Sequence, residues 1–278
     1  MALGRRKLSK AALGGIASAI VSTARAETPA TIALLHLAPQ PGRLEHNKHL
    51  IEGAVRRAAA AGAKLIATPE LAVSGYGFRD LVGTDWIARD QPDLLRWAGA
   101  VCRETSVALL LGMPEAADGK LFNSMVLFGP DGLRIGQHRK INALRVGSES
   151  WSTPGDRATV LAIDGIGRAG LFVCADMYSQ RLVGETAAQG VDLMVSAAAW
   201  APGLHGPDGE WERASRQSAR PVLVCNRTGM DVLDFRQARS VAAVGGLQLH
   251  QHSAPDSAVV LVDWDPQAWT LANWRIAR

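Results

Sequence analysis

The chain has 278 residues, enough to bury a sizeable core in one large domain or two small ones. With 47% hydrophobic and 20% charged residues it is neither a disordered chain nor a coiled coil, and no apolar run reaches the roughly 18–20 residues of a membrane span. The formal net charge of +4 sits in residues 1–26, where Arg5, Arg6, Lys7, Lys10 and Arg25 face no acid, so the remainder carries −1 and argues against a nucleic-acid partner.

In chain order, residues 1–10 are basic, residues 11–24 are mildly apolar, and Ala24-Arg25-Ala26 offers small residues around a cleavage point. That order predicts a secretory signal over 1–26 and a mature domain over 27–278, with no stable membrane insertion. A basic tail or an amphipathic N-terminal helix is the alternative. Arg5-Arg6, followed by Lys7-Leu8-Ser9-Lys10, resembles a twin-arginine export signal, although Gly4 stands where such signals usually carry Ser or Thr. The resemblance implies the twin-arginine export machinery as a partner and a bacterial periplasmic or secreted location. Three cysteines, Cys102, Cys174 and Cys225, leave at least one thiol unpaired within the chain, and a Cys102–Cys225 bridge stays open.

The mature chain then alternates. Residues 31–37 predict a strand, 45–61 an amphipathic helix closed by Gly62, and 64–68 a buried strand running into Pro69-Glu70. A helix over 91–105 precedes a strand at 107–112. Residues 121–128 and 133–137, split by Gly129-Pro130-Asp131-Gly132, predict a hairpin. A polar loop covers 138–157. Strands follow at 159–163, 168–174, 191–197, 222–226, 240–249 and 258–264, with helices at 179–190 and 206–220. Such alternation, without repeats or a linker, predicts one α/β domain with covered sheets.

Three reactive side chains stand where predicted strands end: Glu70, Lys140 and Cys174. A carboxylate can take the proton of a thiol, and an ammonium can steady the oxyanion that forms when the thiolate attacks a carbon–heteroatom multiple bond. The trio is sufficient for acyl transfer. Spacing alone does not bring the three together, and a cysteine closing a buried strand is ordinarily core.

The surrounding residues supply more. Pro69-Glu70-Leu71 with Gly75-Tyr76, Arg139-Lys140 with Leu144 and Pro154-Gly155-Asp156, and Phe172-Val173-Cys174-Ala175-Asp176 resemble, in order, the three signatures of the nitrilase (carbon–nitrogen hydrolase) superfamily. Gly190-Val191-Asp192-Leu193, Ser196 to Trp200 and Asn226-Arg227 extend the resemblance, which spans about residues 30–265. It implies a four-layer α-β-β-α sandwich and assembly as a homodimer or larger homo-oligomer. It also implies Cys174 as nucleophile, Glu70 as general base and later acid, and Lys140 with the Ala175 amide as oxyanion donors. Glu149 is the nearest match for a further carboxylate, a solvated loop position being the alternative, and Glu115 is a second candidate. Tyr76 and Trp200 are placed as pocket walls, with core packing an equal reading for each.

Cys174-Ala175-Asp176 follows amidase-like branches, whereas nitrile-cleaving branches commonly carry Trp-Glu after the cysteine. The expectation is therefore a cofactor-independent hydrolase of a small-molecule amide or N-carbamoyl compound. The rivals are a nitrilase in the strict sense and a non-catalytic binding module. His46 with His49, and His250 with His252, lack supporting ligands at metal spacing, so no metal or cofactor is expected.

Overall fold

The computed structural model describes residues 29–144 and 147–277; the expected export signal and its cleavage point lie outside them. Side-chain alternation in the first strand sets the layering. β1 (Ala30–His36) sends Ile32 and Leu34 into one apolar cluster and Ala33 and Leu35 into another, the period of two that a strand imposes. α1 (Leu44–Ala60) covers the second cluster with Ile51, Ala54, Val55 and Ala58, four residues at helical spacing.

The same division continues through β2 (Ala63–Ala67), β3 (Ala108–Ala117) and β4 (Lys120–Phe128). Leu65, Leu110, Met125 and Leu127 face inward, whereas Ile66, Leu109, Leu111, Val126 and Phe128 face outward onto α1 and α3 (Trp86–Thr105). A short α2 (Arg79–Val82) precedes α3, and β5 (Arg134–Arg139) completes this half.

The second half repeats the plan with β6 (Thr159–Ile163), β7 (Gly167–Val173), α4 (Gln180–Ala188), β8 (Leu193–Ala198), α5 (Glu210–Ser218), β9 (Val222–Asn226), β10 (Ser240–Val244) and β11 (Leu247–His252). β12 (Ala258–Asp265) and β13 (Thr270–Ile276) return to the first sheet. The sheets run β13-β12-β1-β2-β3-β4-β5 and β11-β10-β9-β8-β7-β6. Each has a parallel centre, β1-β2-β3 or β7-β8-β9, flanked by antiparallel strands. The inner faces meet in one core, and helices lie on both outer faces. This is the α-β-β-α sandwich.

Besides the unexpected α2 and a helix α5 shorter than the 206–220 expected, the structure departs from the expected elements in four places. α3 begins at Trp86 rather than Gln91, with Pro92 inside it, because Trp86 and Ile87 are buried in the outer cluster and tertiary packing extends the helix back past the proline. β3 runs on through Pro114; β2 pairs with it only as far as Leu110, and although Gly112 still bonds Thr68 and Val73 on that flank, no strand lies beside Pro114 and the missing N–H is tolerated. Residues 240–249 are two strands rather than one, since Gly245 and Gly246 (φ 60° and 89°) form a tight hairpin turn. β13 was not anticipated. All three cysteines are free: Cys102 packs on the outer face of the first sheet and Cys225 on its inner face, so no bridge joins them.

Candidate active site

Ligands of open α/β sheets gather beyond the carboxyl ends of the parallel strands. Here β2 ends two residues before Pro69-Glu70, β5 ends at Arg139 beside Lys140, β7 ends at Val173 beside Cys174, and β8 ends at Ala198 beside Ala199-Trp200. Four chain segments therefore bring their ends to one place.

Glu70 is 1% exposed and fully engaged. Its Oε1 accepts from Lys140 Nζ at 2.8 Å and from Asn123 Nδ2 at 2.7 Å, and its Oε2 accepts from the Ala199 N–H at 2.9 Å. Lys140 Nζ also donates to Glu149 at 2.8 Å, and Asn123 Nδ2 donates to Glu149 Oε1 at 2.9 Å. Glu149 is thus buried in the site rather than solvated, closing a short 3-10 turn (Gly147–Glu149) in the otherwise irregular loop. Burial pushes the Glu149 carboxyl up, against the opposing pull of Lys140. Burial alone would push the Lys140 ammonium down, but Glu70, Cys174 and Glu149 around it leave it well above its usual range.

Glu115 belongs elsewhere. It shares the outward parity of Leu109, Leu111 and Met113 along β3, and there it accepts from Ser124 Oγ at 2.7 Å and from Arg139 at 2.8 and 3.0 Å. Asn123 shares the inward parity of Met125 and Leu127, and so reaches the site.

Cys174 takes a left-handed backbone conformation (φ 48°) where β7 turns into a 3-10 segment (Cys174–Tyr178). A non-glycine residue there costs about 1 kcal/mol or more and is held by its surroundings. The holding group is Asp176. Its carboxylate accepts from the N–H of Val173 (2.9 Å), Ile141 (2.9 Å) and Asn142 (2.7 Å) and from His138 Nε2 (2.9 Å). These bonds tie the nucleophile turn to the chain on both sides of Lys140, and Asn142 Nδ2 adds a bond to the Ala175 carbonyl at 2.7 Å. Burial first, then the Glu70 charge, raises the Cys174 thiol well above its usual range against the pull of Lys140. Burial thus favours the protonated sulfur, and a neighbouring base can take its proton as it attacks.

Cys174 and Ala175 open onto a cavity of about 620 Å³ lined also by Tyr76, Leu144, Tyr178, Ala199, Trp200 and Leu233. Trp200 serves both roles open to it, being 5% exposed, packed edge-on to Trp211, and part of the lining. Tyr76 does likewise, packing edge-on to Phe235. Its hydroxyl is raised by burial and by Glu70, Glu149 and Cys174 nearby. The Tyr76 wall is fixed from across the chain: Asp231 accepts from the N–H of Tyr76 (3.0 Å) and Gly77 (2.9 Å) and is paired with the buried Arg227. Asn226 holds the opposite side, accepting from the Trp200 N–H at 3.0 Å and donating to the Trp200 carbonyl at 3.0 Å.

Sequence reasoning missed Asn123, the Ala199 amide, the His138–Asp176 pair and Asp231. For Asn123 the strand pattern carried only an ambiguous signal, since Asn123 and Ser124 are each the polar residue of an otherwise apolar face. The other three carried none, since their partners lie far off in the chain.

A family model described as carbon-nitrogen hydrolase matches residues 31–261. The omega-amidase of Homo sapiens is 29% identical over 173 residues, 59% of this chain and 61% of that protein. A nitrilase of Pyrococcus abyssi is 28% identical over 60% of this chain and 64% of that one. The chain thus spans less than two thirds of the length of these curated relatives. Among solved structures, an amidase of Nesterenkonia sp. AN1 superposes with a TM-score of 0.75 at 22% identity, covering 86% of this chain and 92% of that one. A variant of that amidase in complex with butyramide gives 0.72 at 23% identity, covering 86% and 93%. At this identity the likeness concerns the fold.

Proposed function

The chain belongs to the carbon-nitrogen hydrolase family, and on that premise we propose that it cleaves the non-peptide C–N bond of a small amide or N-carbamoyl compound through a thioester on Cys174. The observation that carries this reading is the buried pairing of Glu70 with Lys140 at 2.8 Å, beside a thiol whose proton affinity both charges alter, at the floor of a cavity.

Glu70 takes the Cys174 proton as the sulfur attacks the carbonyl carbon. The negative charge that develops on the carbonyl oxygen is met by Lys140 and the Ala175 N–H. The tetrahedral species expels its nitrogen, which takes the proton from Glu70 and departs as ammonia or an amine, leaving the acyl group on sulfur. A water molecule, losing its proton to Glu70, attacks the thioester. The acid leaves, and the proton returns to sulfur. Glu149, linked to Glu70 through Lys140 and Asn123, sets the second carboxylate beside this cycle. No step calls on a cofactor.

The test offers matched amide and nitrile pairs to the wild-type chain and to Cys174→Ala and measures ammonia. Release from amides that Cys174→Ala abolishes is the expected result. Release from nitriles only would make the protein a nitrilase in the strict sense. Amide turnover by Cys174→Ala at the wild-type rate would overturn the thioester route.

Two further proposals concern setting. Residues 1–26 direct export through the twin-arginine machinery to the periplasm or beyond, supported by Arg5-Arg6 and the apolar stretch after them. A folded reporter fused to residues 1–30 should cross the inner membrane, and Arg5-Arg6→Lys-Lys should retain it; cytoplasmic retention of the unaltered fusion would refute this. The chain assembles as a homodimer or larger homo-oligomer, a reading supported by family membership and checked by light scattering, where a monomer at micromolar concentration would refute it.

A further inference from the structure

We infer that the acyl part of the substrate is an uncharged hydrocarbon group that runs from Cys174 to the mouth of the cavity. The inference rests on the amide-hydrolase reading and adds the substrate class to it. The cavity, at about 620 Å³, falls within the range of small-molecule sites and far exceeds what acetamide would fill. Its buried end is Cys174, Ala175 and Ala199, each under 8% exposed. Its outer end is apolar as well: Leu204 is 95% exposed, and Leu144, Tyr178 and Leu233 are about half exposed. Four such side chains gathered at one opening are left in water by the free protein and are covered when a hydrocarbon chain lies against them.

Two of the three polar tips in the aromatic wall are already committed, the Tyr76 hydroxyl being the third. Tyr178 Oη and Trp200 Nε1 both donate to the His205 carbonyl, at 3.1 and 2.8 Å, so these residues present mainly ring surface to a ligand. Among the described residues no lysine, arginine or acid lines the cavity, and the one side chain that can gain a positive charge is the exposed His205. Behind the lining, the buried floor holds two carboxylates, Glu70 and Glu149, against the single ammonium of Lys140. Glu210, near the Tyr178 hydroxyl, is already paired with Arg213 at 2.6 Å. A carboxylate on the acyl chain would lose its water and find no lysine or arginine among the described lining residues to pair with, an unfavourable transfer. A hydrocarbon chain meets no such opposition.

The experiment measures kcat/KM for ammonia release from acetamide, butyramide, hexanamide and octanamide, and from succinamate, which carries a terminal carboxylate. The same amides are titrated calorimetrically into Cys174→Ala. The expected result is a rise of about fourfold per methylene from acetamide to hexanamide, the equivalent of ~0.8 kcal/mol per buried CH₂. Succinamate should fall about 10²-fold below butyramide. Hydrolysis with no dependence on chain length, or with succinamate preferred, overturns this inference while leaving the hydrolase reading intact. No hydrolysis of any amide, with affinity for Cys174→Ala still climbing with chain length, defeats the hydrolase reading and leaves the apolar subsite standing. Neither turnover nor binding defeats both.

Discussion

Asn123 holds both site carboxylates with one amide nitrogen, and its effect on the Glu149 proton is directional. A hydrogen bond to a carboxylate favours the charged form, so Asn123 pulls the Glu149 carboxyl down against the larger upward push of burial. Asn123→Leu removes that pull, and the acid limb of the kcat profile should move to higher pH. An unmoved limb would show that Asn123 only fills space. Lys140→Met removes an oxyanion donor and the one cation between two buried acids; kcat should fall about 10²–10³-fold, and a loss under tenfold would remove Lys140 from the chemistry. Glu70, Lys140 and Cys174 were legible because each sits in a short local signature. Asn123 was not, because a strand such as Leu121-Phe122-Asn123-Ser124-Met125 does not say which of its two polar residues turns toward chemistry. The parity that sent Glu115 and Ser124 outward, and Asn123 inward, emerges only once the sheet has two unlike faces.

At the scale of elements, the loop after β9 illustrates what local pattern conceals. Asp231 reaches back over 150 residues to cap the N–H groups of Tyr76 and Gly77, and it carries Leu233 into the cavity lining beside it. Gly77 permits this approach, since a Cβ there would stand 2.4 Å from Val232 Cγ1 and 2.6 Å from Asp231 Oδ1. Gly77→Ala should therefore displace residues 231–233, raising KM more than it lowers kcat and costing about 1–3 kcal/mol in a denaturant titration. Wild-type KM and stability together would contradict the clamp. Helices with a clean apolar stripe, such as α1, were read to within a residue or so from their periodicity. Elements whose ends depend on partners were not. β3 passes Pro114 because its neighbour has already ended, and α3 starts before Pro92 because Trp86 and Ile87 find a core to enter.

The whole molecule adds a pH dependence that no single element contains. His36, at the end of β1, is buried against Ser240 of β10 and edge-on to His252 of β11. Burial, with help from His252, lowers its pKa from 6.5 to about 4. A group whose folded-state value is depressed binds its proton more readily when unfolded. Its contribution is therefore complete above pH 6.5 and is lost as the pH falls toward 4, by up to roughly 3 kcal/mol. Denaturant midpoints should decline through that window, and His36→Gln should flatten the decline; an equal slope in the variant would assign the acid sensitivity to other groups. The alternation of strands and helices disclosed covered sheets from sequence, but it did not disclose strand order, or that the last two strands return to the first sheet to close the sandwich.

The central claim is that Cys174 carries the acyl group between two half-reactions, and rapid chemical quench of the enzyme turning over hexanamide, followed by intact-mass and peptide analysis, tests it most directly. A mass gain equal to the hexanoyl group on the peptide containing Cys174, formed with the first equivalent of ammonia and absent in Cys174→Ala, is what the account predicts. Steady ammonia release with no acyl adduct on that peptide, continuing at the wild-type rate in Cys174→Ala, would contradict it.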